Sequence, residues 1–285
     1  VSELTGVNSV TLRAWERRYG LIKPQRTPKG HRLYTHEHVR FIQEILDRLA
    51  SGASIGQIAR SIGNSTAAEE TDTDAWTRYR RRMIEAIVRF DDRTLDNVYN
   101  DAMSLYPVDV VISRLILPLL EELGARWETR NGSIAEEHFF SVYLRNKLGA
   151  RFHHQNLKNT GTRLIAACLP GEHHEFGILL FALMAQSRGY QVVLLGQDLP
   201  VTELTHVAER TDSQAVVLAG SSSLPCEQLY DDLSLLTDVL PIPVFVGGEV
   251  SAKCPGHITR AGAHTLGSNL SASLHAIAGK IKNTN

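Results

Sequence analysis

The sequence predicts a multidomain protein of the α and α/β classes, on three observations. The first 62 residues are rich in Arg and broken into short helical patterns. After a polar stretch, apolar residues recur at helical spacing as far as about Leu157, and from Thr162 onward short β-rich runs alternate with helices. Strand–helix alternation at that spacing demands parallel strands, since each helix must return the chain to the edge where its strand began. At 285 residues the chain is long for one domain and fits two or three.

Residues 1–62 hold ten Arg and Lys against five Asp and Glu, whereas the whole chain carries a net charge of -1, so a basic front precedes an acidic back. Val1–Thr5 reads as a short helix. Val7-Asn8-Ser9 supplies a turn with a capping residue, and Val10–Tyr19 reads as a second helix closed by Gly20. Together they make a helix-turn-helix. Its second helix is expected to turn Thr11, Arg13, Arg17, Arg18 and Tyr19 toward DNA, with Val10, Leu12 and Trp15 inward. Pro28-Lys29-Gly30 is a tight-turn signal between two basic arms, so Arg26, Lys29, His31 and Arg32 are expected on a wing lying along phosphates.

Residues 63–74 are polar and read as a linker. The block 75–157 spaces Met83, Ile84, Ile87, Val88, Leu95, Val98, Met103, Val110, Val111, Leu115, Leu119 and Leu123 as helices do. Asp91-Asp92, Tyr106-Pro107 and Asn131-Gly132 divide it into the four segments of a four-helix bundle. In the block 162–283, Thr162–Leu169, Gln191–Leu195, Ala215–Ala219, Val244–Val246 and His264–Leu266 are the expected strands of a Rossmann-like domain with the flavodoxin-like strand order.

Composition narrows the function. No apolar run approaches the ~18–20 residues of a membrane span, and no charged-then-apolar leader is seen, so a cytoplasmic protein without membrane contact is expected. Cys168, Cys226 and Cys254 lack CxxC spacing, which predicts neither a disulfide framework nor a zinc site.

The segment between the first strand of the back block and its helix, Glu172-x-His174-x-x-Gly177, places an imidazole, a carboxylate and a glycine at a carboxyl sheet edge, where open α/β sheets bind ligands. Ser222-x-Leu224 follows the third strand and Gly247-Gly248 the fourth. One crevice could collect all three. His174 would hold the metal of a planar cofactor, Ser222 would hydrogen-bond its tail, and the glycines would admit close approach.

The run TLRAWERRYGLIKPQRTPKGHRLY resembles the winged helix-turn-helix of MerR-family transcription regulators, in particular the cobalamin-dependent photoreceptor repressors of the CarH/LitR branch and the curli-regulator (MlrA) branch. The back block resembles the base-off, histidine-on cobalamin-binding domain, and Leu195–Pro200 its second loop. That resemblance implies His174 as lower axial cobalt ligand, oriented by Glu172, where the wider family has Asp. Trp127, nine residues and Glu137-His138 resemble the Trp-x9-Glu-His signature of the photoreceptors. It implies adenosylcobalamin between the helical block and the sheet domain, with Trp127 and Glu137 on its upper face. CarH-type members carry a His directly after this Trp; here Glu128 stands there, so a bis-His photoproduct would need His138 or another imidazole.

The resemblance thus implies a repressor controlled by adenosylcobalamin and light. Its partners would be a double-stranded DNA operator, further copies of itself as dimer or tetramer, and RNA polymerase or a regulatory protein. Two other readings stay open: a regulator of the MlrA type, whose cofactor-free sensor domain answers to protein partners, and a corrinoid methyl carrier, against which the DNA-reading front argues.

Overall fold

The computed structural model describes residues 1–62, 72–129, 132–156, 160–221, 223 and 225–282. It divides into two compact units, Val1–Leu144 and Arg145–Asn285. Residues 63–71 of the expected linker lie outside the described residues, and a helix already runs at Asp72.

In the first unit, α1 (Ser2–Thr5) ends on Gly6 and α2 (Ser9–Ala14) starts on Asn8, whose Oδ1 accepts from the backbone N–H groups of Val10 (2.6 Å) and Thr11 (3.1 Å). The helix runs on as a π turn, Trp15–Tyr19, and stops at Gly20, whose φ of 61° is left-handed. Thr11, Leu12, Ala14 and Trp15 are buried, whereas Val10 is 55 % exposed. The inward stripe is therefore rotated one position from the expected one: at ~100° per residue, 11, 12 and 15 share a face and 10, 13 and 17 share the opposite one. β1 (Gln25–Arg26) and β2 (Arg32–Leu33) form the antiparallel wing, with Gly30 at φ 81° in its turn. Helices α3 (His36–Ala50) and α4 (Ile55–Ser61) each open with a capping box, at Thr35 and Ser54, and bury Ile42, Ile45, Leu49, Ile55 and Ile58.

The helical block has four segments at the expected breaks. They are α5 (Asp72–Val88); α6 (Asp92–Leu105); α7 (Val108–Val111), continued by a π turn at Ile112–Ile116 into α8 (Leu117–Glu128); and α9 (Ile134–Asn156). Asp91 caps α6 through Thr94 N–H, and Pro107 introduces α7. Met83, Ile87, Leu95, Val98, Val111, Leu115, Leu119 and Leu123 are buried as their spacing predicts; Val88, at the last turn of α5, is 43 % exposed. The first half of α9 joins this core through edge-on ring pairs, Phe139 with Phe90 and Tyr143 with Tyr99.

In the second unit, β3 (Arg163–Cys168), β4 (Gln191–Gly196), β5 (Ala215–Ala219), β6 (Val244–Gly247) and β7 (His264–Gly267) form one parallel sheet in the order β4-β3-β5-β6-β7, the expected flavodoxin-like order. The central strands are apolar throughout because helices cover both faces. They are α10 (Phe176–Ser187), α11 (Val201–Thr211), α12 (Cys226–Thr237), α13 (Glu249–Lys253), α14 (Pro255–Arg260) and α15 (Leu270–Lys282). Buried residues run unbroken from Ile178 to Gln186, so α10 is enclosed on all sides.

At the amino-terminal edge of the sheet, the Arg163 guanidinium donates to Gln191 Oε1 (2.9 and 2.6 Å) and to the Thr211 carbonyl (2.5 Å), while its backbone N–H donates to Gln214 Oε1. At the opposite edge the structure corrects one expectation. Cys226 and Cys254 are joined as a disulfide, with Cα atoms 5.6 Å apart. Twenty-eight residues separate them in sequence, but β5 and β6 are neighbours and each cysteine follows the loop that leaves one of these strands.

Candidate functional site

The front module presents a basic surface with two states of charge. Arg13 and Arg17 are exposed on α2 and its π turn, and Lys29 and His31 at the tip of the wing. Three other cations are engaged. Arg32 and Arg26 grip Glu16 at 2.5 and 2.9 Å, tying the wing to the second helix, and Arg18 pairs with Asp101 of α6 at 3.0 Å. Burial works to raise the Glu16 carboxyl, but the two guanidinium groups prevail and hold it below the usual carboxylate range. Thr11 is 1 % exposed and so cannot read DNA from this arrangement; Val10 takes the outward place beside Arg13 and Arg17. Tyr19 is half-buried.

The second helix is anchored to the helical block of the same unit. Trp15 is fully buried and its indole N–H donates to the Leu105 carbonyl at 2.7 Å, while Asp101 also accepts from Tyr79 Oη at 2.7 Å. Asp101 carried no signal in the sequence, since a carboxylate on an amphipathic helix is ordinarily a solvated surface group.

In the second unit, the loop after β3 builds a presented imidazole. Glu172 is 3 % exposed, and its carboxylate accepts from the backbone N–H of Ser221 (2.5 Å), the backbone N–H of His174 (2.7 Å) and His174 Nδ1 (2.7 Å). Burial pushes this carboxyl up, yet the hydrogen bonds from Ser221 and His174 outweigh it and hold the group down at about 2. An ionised carboxylate only accepts, so Nδ1 bears the proton and the Nε2 lone pair points away from Glu172. The His174 side chain is 86 % exposed. It is an imidazole fixed through Nδ1 at a sheet edge, with Nε2 turned outward as a candidate metal ligand.

Three loops close around this edge. Asp198, in Leu195–Pro200, accepts from Gly171 N–H at 2.8 Å and donates its own N–H to the Glu172 carbonyl. Gly248 has φ 84° and ψ -172°, and a Cβ there would lie 2.4 Å from the Gly220 carbonyl oxygen. Only glycine suits such a backbone. Gly247 needs no such freedom: an added Cβ would stand 3.5 Å from its nearest neighbour. A Cβ on Gly177 would meet nothing within 4 Å. Ser222 and Leu224 lie outside the described residues; the residue joined to Glu172 is Ser221, through a backbone group to which any residue type could contribute. Among the described residues no group of three or more His, Cys, Asp and Glu could hold a metal ion.

Of the residues assigned to the upper face, Trp127 lies in the last turn of α8, and its buried indole N–H has no hydrogen-bond partner among the described residues. A Cβ on Gly132 would lie 2.6 Å from its ring, which accounts for the glycine there. Glu137 and His138 are exposed on the first turns of α9, where His138 lines an apolar cleft with Asp92, Phe139, Val142 and Tyr143.

Family models match the winged module and the helical block. The model of the MerR HTH family regulatory proteins matches residues 1–64, and that of the B12 binding domain matches residues 79–151. The HTH-type transcriptional repressor CarH of Myxococcus xanthus is 30% identical over 278 residues, covering 93% of this chain and 92% of the relative. CarA of the same organism, also an HTH-type transcriptional repressor, is 28% identical over 254 residues, 87% of this chain and 84% of the relative. The HTH-type transcriptional regulator MlrA of Escherichia coli is 29% identical over 136 residues, 47% of this chain and 54% of the relative. Among solved structures, the monomethylamine corrinoid protein of Methanosarcina barkeri shares the fold, with a TM-score of 0.57 at 19% identity over 73% of this chain and 99% of that one. With its winged module in front and its presented imidazole behind, this chain belongs to the MerR-type family of HTH transcriptional repressors that includes CarH.

Proposed function

We propose that this protein is a transcriptional repressor whose hold on its operator is set by adenosylcobalamin. The observation that carries the reading is His174, hydrogen-bonded through Nδ1 to ionised Glu172, with its side chain exposed and Nε2 directed outward at the carboxyl edge of the sheet. Were cobalamin bound there, His174 would hold its cobalt, and the cofactor would supply a light-labile cobalt–carbon bond. The residues of this chain bind and orient. Glu172 orients the His174 ring through Nδ1, open space at Gly177 leaves room for a large planar group, and Gly248 lets the segment after β6 lie against Gly220. Trp127 and Glu137 would cover the alkyl group, and His138 would join them as a cofactor contact, on the strength of the Trp-x9-Glu-His pattern.

Arg13, Arg17, Lys29 and His31 make the first phosphate and base contacts in this reading. A module this small supports tight specific binding only in pairs, so the repressor acts as a dimer or tetramer on a pseudo-palindromic operator. Reading DNA puts the protein in the compartment that holds it, the cytoplasm, and no described helix is long and apolar enough to cross a membrane.

The test is a visible spectrum and an operator mobility shift after dark incubation with adenosylcobalamin, before and after illumination. Wild type should retain the corrinoid absorbance on desalting and release DNA in light. His174→Ala should lose at least about tenfold in cobalamin affinity. Wild-type affinity and spectrum in His174→Ala would show the ligand to be misassigned, and a colourless wild type with intact operator binding would favour a cofactor-free sensor domain.

A further inference from the structure

We propose that Cys226 and Cys254 are a reversible redox-modification site whose disulfide ties the segment that leaves β5 to the one that leaves β6 and so steadies the support of His174 for a cofactor. The cofactor part rests on the function proposed above.

Cys226 opens α12, where the chain arrives from β5, and Cys254 follows α13, where it arrives from β6. The same two segments already lie against each other. Gly220 N–H donates to the Gly247 carbonyl, Val250 N–H donates to the Gly220 carbonyl, and Gly248 packs on that carbonyl without room for a Cβ. The β5 segment also supplies the Ser221 N–H that holds Glu172, and through it His174. The disulfide therefore ties together the segments leaving two neighbouring strands, one of which supports the presented imidazole. Reagents reach it from one side, because Cys226 is partly exposed and Cys254 is 1 % exposed. Cys168, the third cysteine, is buried, and burial pushes its thiol up to about 12, which makes it a bystander.

In a reducing cytoplasm a disulfide between such residues is an acquired state. Its formation needs an oxidant, here a low-molecular-weight disulfide such as oxidised glutathione. The Cys226 thiolate attacks one sulfur of that disulfide, breaks its S–S bond and releases one thiolate, which takes up the Cys226 proton. The Cys254 thiolate then attacks the Cys226 sulfur of the mixed disulfide, forms the internal S–S bond and expels the second thiolate, which takes up the Cys254 proton. Two protein thiols lose two electrons and two protons, and one small disulfide becomes two thiols. In the oxidised form, less loop freedom is left for a ligand to remove on binding.

The full-length chain equilibrated with oxidised or reduced glutathione is the material for the test. Alkylation after denaturation should find one free thiol in the oxidised form and three in the reduced form. Hydrogen exchange without cofactor should be slower at Ser221, Ser223 and Val250–Cys254 in the oxidised form. Adenosylcobalamin, titrated in the dark, should bind about three- to tenfold tighter to it, and Cys226→Ser should bind like reduced wild type under either condition. Three free thiols after oxidation, or unchanged exchange at both loops, would overturn the proposal, as would equal affinities of the two redox forms. If neither form binds cobalamin while exchange still differs, the cofactor reading fails and the redox site stands on the loops alone.

Discussion

Three donors converge on the two oxygens of Glu172, and they keep a buried carboxylate charged. Because its folded pKa, about 2, lies below the ordinary value of 4.5, its ionised form favours folding. That contribution is complete above pH ~4.5 and is lost as pH falls toward 2, on the order of 3 kcal/mol at neutral pH. Urea melts of wild type and Glu172→Gln should therefore differ most at pH 6–7, with the gap shrinking below pH 4.5; a gap that is constant with pH would mean that the charge is not involved. Glu172 and His174 were legible from their place between a strand and a helix. Ser221 was not, because its part is played by a backbone N–H that leaves no mark on residue type. Thr11 was misread for a different reason. A helix of barely three turns with few apolar residues fixes its phase poorly, so the inward stripe was set one position away.

Elements were most legible where one face, or all faces, of a segment had to be apolar. The first four strands and the fully enclosed α10 announced themselves as apolar runs, whereas His264–Gly267 gave only a weak signal, and the order of the sheet followed from the alternation with helices. Two adjacent glycines looked alike in the sequence, yet the structure separates them. Gly248→Ala should cost at least about 2 kcal/mol, since it combines a backbone conformation that is essentially restricted to glycine with a clash against Gly220. Gly247→Ala should stay within about 1 kcal/mol, and thermal melts of the pair would distinguish them. The disulfide escaped notice because spacing rules look along the chain, whereas Cys226 and Cys254 meet only after two parallel strands have paired.

On the scale of the folded unit, the DNA-reading helix does not stand free. Trp15 donates into the end of α6, and Asp101 on the same helix holds Arg18. An arginine paired in this way is less available to a phosphate. Asp101→Ala should therefore raise affinity for non-specific duplex DNA several-fold at low salt and steepen the slope of log affinity against log salt by about one. Arg18→Ala should abolish the gain; if Asp101→Ala leaves the mobility shift unchanged, the pair does not compete with DNA. The fold classes were legible from composition and periodicity, but this docking was not, since it depends on two surfaces that meet only in the folded chain.

The Arg163 clamp has a consequence for how the sheet domain meets a ligand. One guanidinium staples the starting edge of β3 to Gln191 at the head of β4 and to the end of α11, while Gln214 ties in the approach to β5. The strands are thus riveted at one edge, and what compliance they have is left to the other, where Gly171, Asp198 and Ser221 sit. A ligand arriving at that edge has only loop tips to still, because the frame behind them is already stiff, and the entropy it must remove is confined to a few residues. Loosening Arg163, some six residues of strand away from His174, would make the same ligand order a whole sheet edge.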